Sequence, residues 1–267
     1  MLKKSLSQHL LKDKNLLNKI VRLSNITKDD VVVEIGAGQG DLTRHIAEKA
    51  GFLYAIELDG SFSQHLNLLE ERYSNVKVIY GNILKIPFIS LRKNGNLKII
   101  GNIPYKITGP IVIKILKERS VIESAFLTMQ KEIAQRIVSS PCNRAYGALS
   151  VNCQILSDVK VLFYIKPNVF IPPPKVDSAL LSIIIKERER ETDDGLIDFV
   201  KSCFQNKRKQ LRQGFIRRYG EEKTRSLYKY MAFSYTVRAE EIEPLKFKEM
   251  YYFLENPFNQ KSPWELS

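Results

Sequence analysis

The chain has 267 residues, 44% of them hydrophobic and 27% charged, and its 42 Lys and Arg against 29 Asp and Glu leave a net charge of +13. The length allows one full-sized domain plus a small one, and the charge favours a polyanionic partner, nucleic acid before a membrane surface. Three scattered cysteines and three scattered histidines argue against a disulfide framework or a metal site, and the longest apolar run, 179–185, is too short to span a bilayer. Lys3, Lys4, Gln8 and His9 break up the apolar residues of the N-terminus, so no secretory segment is expected and the protein reads as soluble and cytoplasmic.

Taken in order, residues 1–12 are basic and polar. Asp13 caps an expected helix with Leu16, Leu17, Ile20, Val21 and Leu23 at helical spacing. Residues 31–35 form a buried-type strand that runs into Gly36-Ala37-Gly38-Gln39-Gly40, with Asp41 as the expected N-cap of the next helix. A second strand at 52–56 ends in Glu57-Leu58-Asp59, Ser61 opens a helix, and a third strand at 76–80 closes with Gly81-Asn82-Ile83. This repeating alternation predicts an α/β fold with a parallel, doubly wound, Rossmann-like sheet.

The glycine spacing departs from G-x-G-x-x-G, and an acid at position 41 would repel a pyrophosphate while tolerating a cationic ligand. Glu57 is placed to accept from both hydroxyls of a ribose, and Asn82 to reach an adenine edge. A nucleoside with a cationic amino-acid tail is S-adenosylmethionine. A glycine turn that only relieves backbone strain would explain one of these features but not three strand ends with matching chemistry.

A fourth strand at 97–100, ended by Gly101, leads into Asn102-Ile103-Pro104-Tyr105. Proline stiffens this turn and restricts the residue before it, presenting a carboxamide and a flat ring where open α/β sheets bind ligands. Alternatively it is a plain strand-to-helix turn with a partly buried tyrosine. A helix follows from Thr108, then a strand at 122–129, a helix from Gln130 and another from about Tyr146. Strands at 159–165 and 179–185 are separated by a rigid loop containing Pro172-Pro173-Pro174, and they suggest an antiparallel hairpin at the sheet edge. Phe170 either forms a second wall of a base pocket opposite Tyr105 or tucks into the core. The charged run 187–194 reads as a linker between a catalytic domain, 1–186, and a small helical domain, 187–267. From Phe199 to Gly220 there is no acid but many bases, among them Lys207, Arg208, Lys209 and Arg212, which suits contact with phosphates. A plain solvated face is the alternative.

Together, Gln8-His9-Leu10-Leu11, Glu34-Ile35-Gly36-Ala37-Gly38-Gln39-Gly40, Ala55-Ile56-Glu57-Leu58-Asp59, Asn102-Ile103-Pro104-Tyr105, Gln130-Lys131-Glu132, Phe170-Ile171-Pro172-Pro173-Pro174-Lys175 and Phe204-Gln205-Asn206-Lys207-Arg208-Lys209 resemble the ribosomal RNA adenine dimethyltransferases. The three-proline loop, Gln130-Lys131-Glu132 and Tyr146-Gly147-Ala148-Leu149-Ser150 are closer to the branch that dimethylates two neighbouring adenosines near the 3′ end of small-subunit RNA. Ser7-Gln8 and the isoleucine after Asn102 are reminiscent of the macrolide-resistance branch, which acts on a large-subunit adenosine. A third branch doubles as mitochondrial transcription factors.

The resemblance implies S-adenosylmethionine bound by His9, Leu11, Gly36, Gly38, Glu57, Asn82, Ile83 and Asn102. It implies chemistry at Asn102, Ile103, Pro104 and Tyr105, with Phe170 beside them. It further implies a monomer that meets ribosomal RNA in a small-subunit precursor through Lys207, Arg208, Lys209 and Arg212, with no metal and no membrane. Asn82 stands where the family usually has aspartate, and Leu10 where phenylalanine is common. A nicotinamide-dependent oxidoreductase and a non-catalytic RNA-binding assembly factor are the competing classes.

Overall fold

The computed structural model describes residues 9–93, 95–190, 193–205 and 210–255. They fall into two compact units. One comprises the chain through Gln135 together with Asp158–Arg190, and the other comprises Arg136–Ser157 together with the residues after Arg190.

In chain order the first unit begins with β1 (Leu10–Leu11), α1 (Lys14–Leu23), β2 (Val31–Ile35), α2 (Asp41–Ala47), β3 (Phe52–Glu57), α3 (Ser63–Arg72) and β4 (Val76–Tyr80). It continues with β5 (Leu97–Asn102), α4 (Thr108–Lys117) and β6 (Ile122–Gln130), and the division falls within α5 (Lys131–Ile137), after Gln135. After α6 (Ala148–Leu156) of the second unit come β7 (Ser157–Ile165), β8 (Phe170–Ile171) and β9 (Ser178–Ile185). The last four helices are α7 (Gly195–Cys203), α8 (Leu211–Tyr219), α9 (Glu221–Tyr230) and α10 (Pro244–Glu255).

Seven strands form one sheet in the order β4-β3-β2-β5-β6-β9-β7, while β1 and β8 make a small antiparallel pair. The β2–β3, β3–β4, β2–β5 and β5–β6 pairs are parallel, and β9 runs antiparallel to β6. All five residues of β2 are buried, as suits a β-branched strand covered by helices on both faces. Asp13 caps α1 as expected, accepting from the Leu16 N–H at 2.9 Å, and Leu17, Ile20 and Val21 are buried beneath it. These side chains join Leu42, Ile46, Val32, Ala55 and Ile100 in one core cluster. Burial of each such side chain stabilises the fold by about 1.5–3 kcal/mol.

The register matters most for function. Ile35 lies opposite both Ile56 and Gly101, and Glu57 lies opposite Tyr80. The residues that follow therefore emerge at one rim: Gly36, Glu57, Asn82 and Asn102. The strand order reverses between β2 and β5, which opens the crevice where ligands bind in such sheets.

Four local readings are corrected. Gly101 does not end its strand. It lies inside β5, where a Cβ would stand 2.5 Å from the Ile35 carbonyl oxygen, so only glycine permits the two strands this register. The N-cap of α2 is Gly40, in the left-handed region at φ 81°, where a Cβ would strike Leu69 of α3. Asp41 is the first helical residue instead. A short 3-10 turn precedes α3, so the helix opens at Ser63 rather than Ser61.

The expected linker 187–194 begins too early. Glu189 is buried, Arg190 donates to the Ile122 and Arg119 carbonyls, and buried Arg119 donates to the Glu189 carbonyl. Guanidinium forks satisfied by backbone oxygens anchor this charged segment in the first unit.

The second unit also recruits residues 136–157, which a contiguous split at 186/187 assigns to the catalytic part. The reason is packing. The Tyr146 hydroxyl donates to the Ile242 carbonyl at 2.8 Å, the Asn152 amide donates to the Ile197 carbonyl, and the Tyr146 ring meets Phe204 edge-on. Phe199 stacks on Phe215, and Phe204 on Phe247, to fill the rest of that core.

Candidate active site

The rim encloses a cavity of about 180 Å³. Its walls include Gly36 and Gly38 from the loop after β2, Glu57 and Leu58 at the end of β3, and Asn82 and Ile83 after β4. Asn102, Ile103, Pro104 and Tyr105 come from the end of β5, and His9 and Leu10 close the remaining side. Ten of the residues singled out in the sequence are thus brought together. Ile56 and Phe62 also contribute, and their apolar side chains carry no sequence signal of their own.

The glycine loop keeps its amides to itself. Gly36 and Ala37 N–H both donate to the Ile56 carbonyl, Gly38 N–H to Glu57 Oε2 at 2.8 Å, and Gly40 N–H to the Ala37 carbonyl. A phosphate cradle needs such donors free and aimed at the ligand, so this loop is not built for a pyrophosphate. Asp41, the acid at the start of α2, pairs with Lys12 at 2.6 Å.

Glu57 is nearly buried, with Oε1 accepting from the Asp59 N–H and Oε2 from the Gly38 N–H, both at 2.8 Å. Burial pushes its carboxyl above the ordinary range, against the pull of those hydrogen bonds. Each oxygen retains a second lone pair for a ribose hydroxyl. Asn82 follows at the end of β4. Its Oδ1 accepts from the Leu84 N–H at 3.0 Å, so the amide hydrogens are left for a ligand and match a ring nitrogen of adenine better than its amine.

At the end of β5 the Asn102 amide donates through Nδ2 to the His9 carbonyl at 2.6 Å. A carbonyl can only accept, so the orientation follows and Oδ1 is the end left for a substrate. Ile103 N–H is tied to the Thr128 carbonyl, and the Pro104 carbonyl accepts from Ile107 N–H. Of the two neighbouring carbonyls, Ile103's is therefore the better placed to receive a substrate hydrogen. The Tyr105 hydroxyl shares a 2.7 Å hydrogen bond with Ser178 Oγ, and its ring stacks with the His9 ring at 5.3 Å between centroids. His9 Nδ1 donates to the Pro172 carbonyl at 2.7 Å, which spans from this turn to the proline loop.

Two expected site residues stand elsewhere. Phe170 is 2% exposed and packs in the core with Leu11, its partner in the β1–β8 pair, so it forms no wall of the cavity. The Leu11 side chain is buried in the same cluster, and His9 and Leu10 line the cavity in its stead. Leu10 and Leu11 are adjacent in the extended strand β1, whose alternation sends Leu10 toward the cavity and Leu11 into the core.

Sequence reasoning passed over Glu34. Its carboxyl is 1% exposed and lines a second, small cavity of about 30 Å³ that shares Leu10, Gly36 and Asn102 with the larger one. Oε2 has no hydrogen-bond partner among the described residues, and burial pushes the carboxyl up to about 8, with the charges of Glu57 and Asp41 adding to the rise. A lone acid in the apolar strand Val-Val-Val-Glu-Ile was the available signal.

In the second unit Lys207, Arg208 and Lys209 lie outside the described residues. Arg212 does not point freely to solvent: it pairs with Glu221 and sits over the Tyr235 ring at 4.7 Å. Arg218 is likewise paired with Glu255. The acids missing from the stretch 199–220 come from α9 and α10.

Against known proteins, residues 1–255 match the family described as ribosomal RNA adenine dimethylase. Ribosomal RNA small subunit methyltransferase A of Mycoplasmopsis synoviae is 35% identical over 257 residues, covering 94% of this chain and 96% of that protein. The protein of the same name from Chlorobaculum parvum is 42% identical over 210 residues, covering 78% of this chain and 76% of that one. Among solved structures, a dimethyladenosine transferase from Plasmodium falciparum superposes with a TM-score of 0.76 at 28% identity, covering 91% and 96% of the two chains. A 23S rRNA methyltransferase, ErmE, shares the fold with a TM-score of 0.69 at 22% identity, covering 92% and 99%. The match along nearly the whole chain agrees with the rim chemistry, and the chain belongs to the ribosomal RNA adenine dimethylase family.

Proposed function

We propose that this protein uses S-adenosylmethionine to dimethylate N6 of two neighbouring adenosines in the hairpin near the 3′ end of small-subunit ribosomal RNA. The observation that carries this reading is the Asn102 carboxamide, held by the His9 carbonyl so that its oxygen remains for an amine beside the Tyr105 ring. Small subunit methyltransferase relatives at 35–42% identity support the choice of RNA.

The residues present fit the cofactor. Glu57 has lone pairs for the ribose, Asn82 has amide hydrogens for the adenine, and Gly36 and Gly38, both at positive φ, put no side chain into the cavity they line. When bound, the cofactor supplies a methyl group already activated on a sulfonium. The chain's task is to prepare the acceptor, because the lone pair of adenine N6 is delocalised into the ring. Asn102 Oδ1 and the Ile103 carbonyl accept the two N6 hydrogens and hold the amine so that its lone pair faces the methyl group. An amide oxygen is too weak a base to take the proton, which leaves to water. Catalysis is then mostly positioning, an effect worth ~7–11 kcal/mol in favourable cases. Stacking on Tyr105 adds ~1–3 kcal/mol, and the target base must be unpaired or flipped to reach it.

The protein works as a monomer on a precursor of the small subunit, in the cytoplasm where that particle is assembled. No helix among the described residues is long and apolar enough to cross a membrane. Lys207, Arg208 and Lys209 remain the phosphate contacts that the sequence pattern favours in the helical unit. The test is to incubate the protein with labelled methyl donor and each ribosomal RNA, then map the modified positions. Two dimethylated adenosines near the small-subunit 3′ end are expected. Label confined to large-subunit RNA would transfer the protein to the macrolide-resistance branch, and no label with intact RNA binding would make it an assembly factor only.

A further inference from the structure

The Gln130-Lys131-Glu132 segment has no place in the cavity, yet Lys131 takes part in a distinctive surface arrangement. Its ammonium lies 5.0 Å from the ring centroid of Tyr164, an aromatic residue left 52% exposed on the outermost strand, β7. Lys131 also approaches the Asp177 carboxylate at 3.7 Å, and Lys166, with a side chain 76% exposed, approaches the same carboxylate at 3.2 Å. Two cations share one acid, so these three groups together carry a net positive charge.

The patch is wired to the active site. Lys131 N–H donates to the Asp177 carbonyl, and the next residue, Ser178, holds the Tyr105 hydroxyl at 2.7 Å. An aromatic ring left half exposed beneath a lysine ammonium contributes little to folding. Those are the parts used to hold single-stranded nucleic acid: cations for the phosphates and a ring for an unpaired base.

Resting on the function proposed above, we infer that Tyr164, Lys131 and Lys166 form a docking surface on the catalytic unit for the RNA strand flanking the target adenosine. Lys131 and Lys166 contact its phosphates and Tyr164 stacks on a neighbouring unpaired base. Lys131 leaves Asp177 and the tyrosine ring as the strand arrives.

The experiment measures methyl transfer to small-subunit ribosomal precursor particles by the full-length protein, together with the salt dependence of RNA binding and the affinity for S-adenosylmethionine. Tyr164→Ala is expected to raise KM for the particle about tenfold while kcat stays within about twofold, and Tyr164→Phe to restore it. Lys131→Gln with Lys166→Gln is expected to raise KM and to lower the salt slope by between about one and two, with arginine at both positions restoring the slope. Cofactor affinity should not change in any variant. Unchanged KM and salt slope in both sets, with wild type active, would overturn the docking surface alone and leave the patch open to an acidic protein partner. A wild-type protein that methylates no small-subunit RNA would overturn the function reading and the surface with it.

Discussion

The sheet rim and the basic stretch of the helical unit were both marked out in the sequence, but they behave differently in the folded chain. At the rim, residues 93 positions apart meet: the Asn102 amide reaches the His9 carbonyl, and Glu57 reaches back to Gly38. Parallel strands in fixed register carry every strand end to the same edge, so a residue's place along its strand already decides its neighbours. In α8, by contrast, a run without acids in the sequence acquires them in space, because Glu221 and Glu255 pair with Arg212 and Arg218. A site defined by strand ends can be read locally, whereas a charged surface depends on what packs beside it.

The comparison can be broken most decisively at Asn102. Asn102→Ala should lower kcat ~10³-fold or more, equivalent to about 4 kcal/mol of barrier, with cofactor affinity changed only a few-fold. Near-normal turnover in a single-turnover assay would remove the rim from the chemistry.

Phe170→Ala comes next and separates core from wall. As a buried core residue it should cost ~3–5 kcal/mol of stability in chemical denaturation. A stable variant with a raised KM for RNA would return Phe170 to the cavity.

Glu34 sharpens the contrast through pH. Its carboxyl titrates near 4.5 when unfolded and about 8 when folded. Between those values the folded chain binds the extra proton, so its contribution to stability is intact below pH 4.5 and is lost as pH rises toward 8. The slope is at most ~1.4 kcal/mol per pH unit. Glu34→Gln cannot ionise, so wild type should lose melting temperature relative to this variant between pH 5 and 8. Parallel curves would mean that the carboxyl is ionised throughout.

The smallest effect is expected at Arg212. Its bridge to Glu221 contributes under about 1 kcal/mol, and Arg212→Gln should leave the salt slope of RNA binding near the wild-type value. A slope reduced by a full unit would make Arg212 a phosphate contact despite its partner.

Much of the fold was legible in the chain itself. The caps and periodicity around Asp13, the β-branched run at 31–35 and the strand–helix alternation specify a parallel sheet whose carboxyl rim carries Gly36, Glu57, Asn82 and Asn102, because these signals act between near neighbours. The tertiary structure alone decided that Phe170 faces the core, that 136–157 joins the helical unit, that the Asn82 oxygen is taken by Leu84 N–H, and that Lys131 covers Tyr164. Each of those outcomes turns on which side chains from distant segments compete for the same space, charge or hydrogen bond. Residue type and local spacing carry no term for that competition.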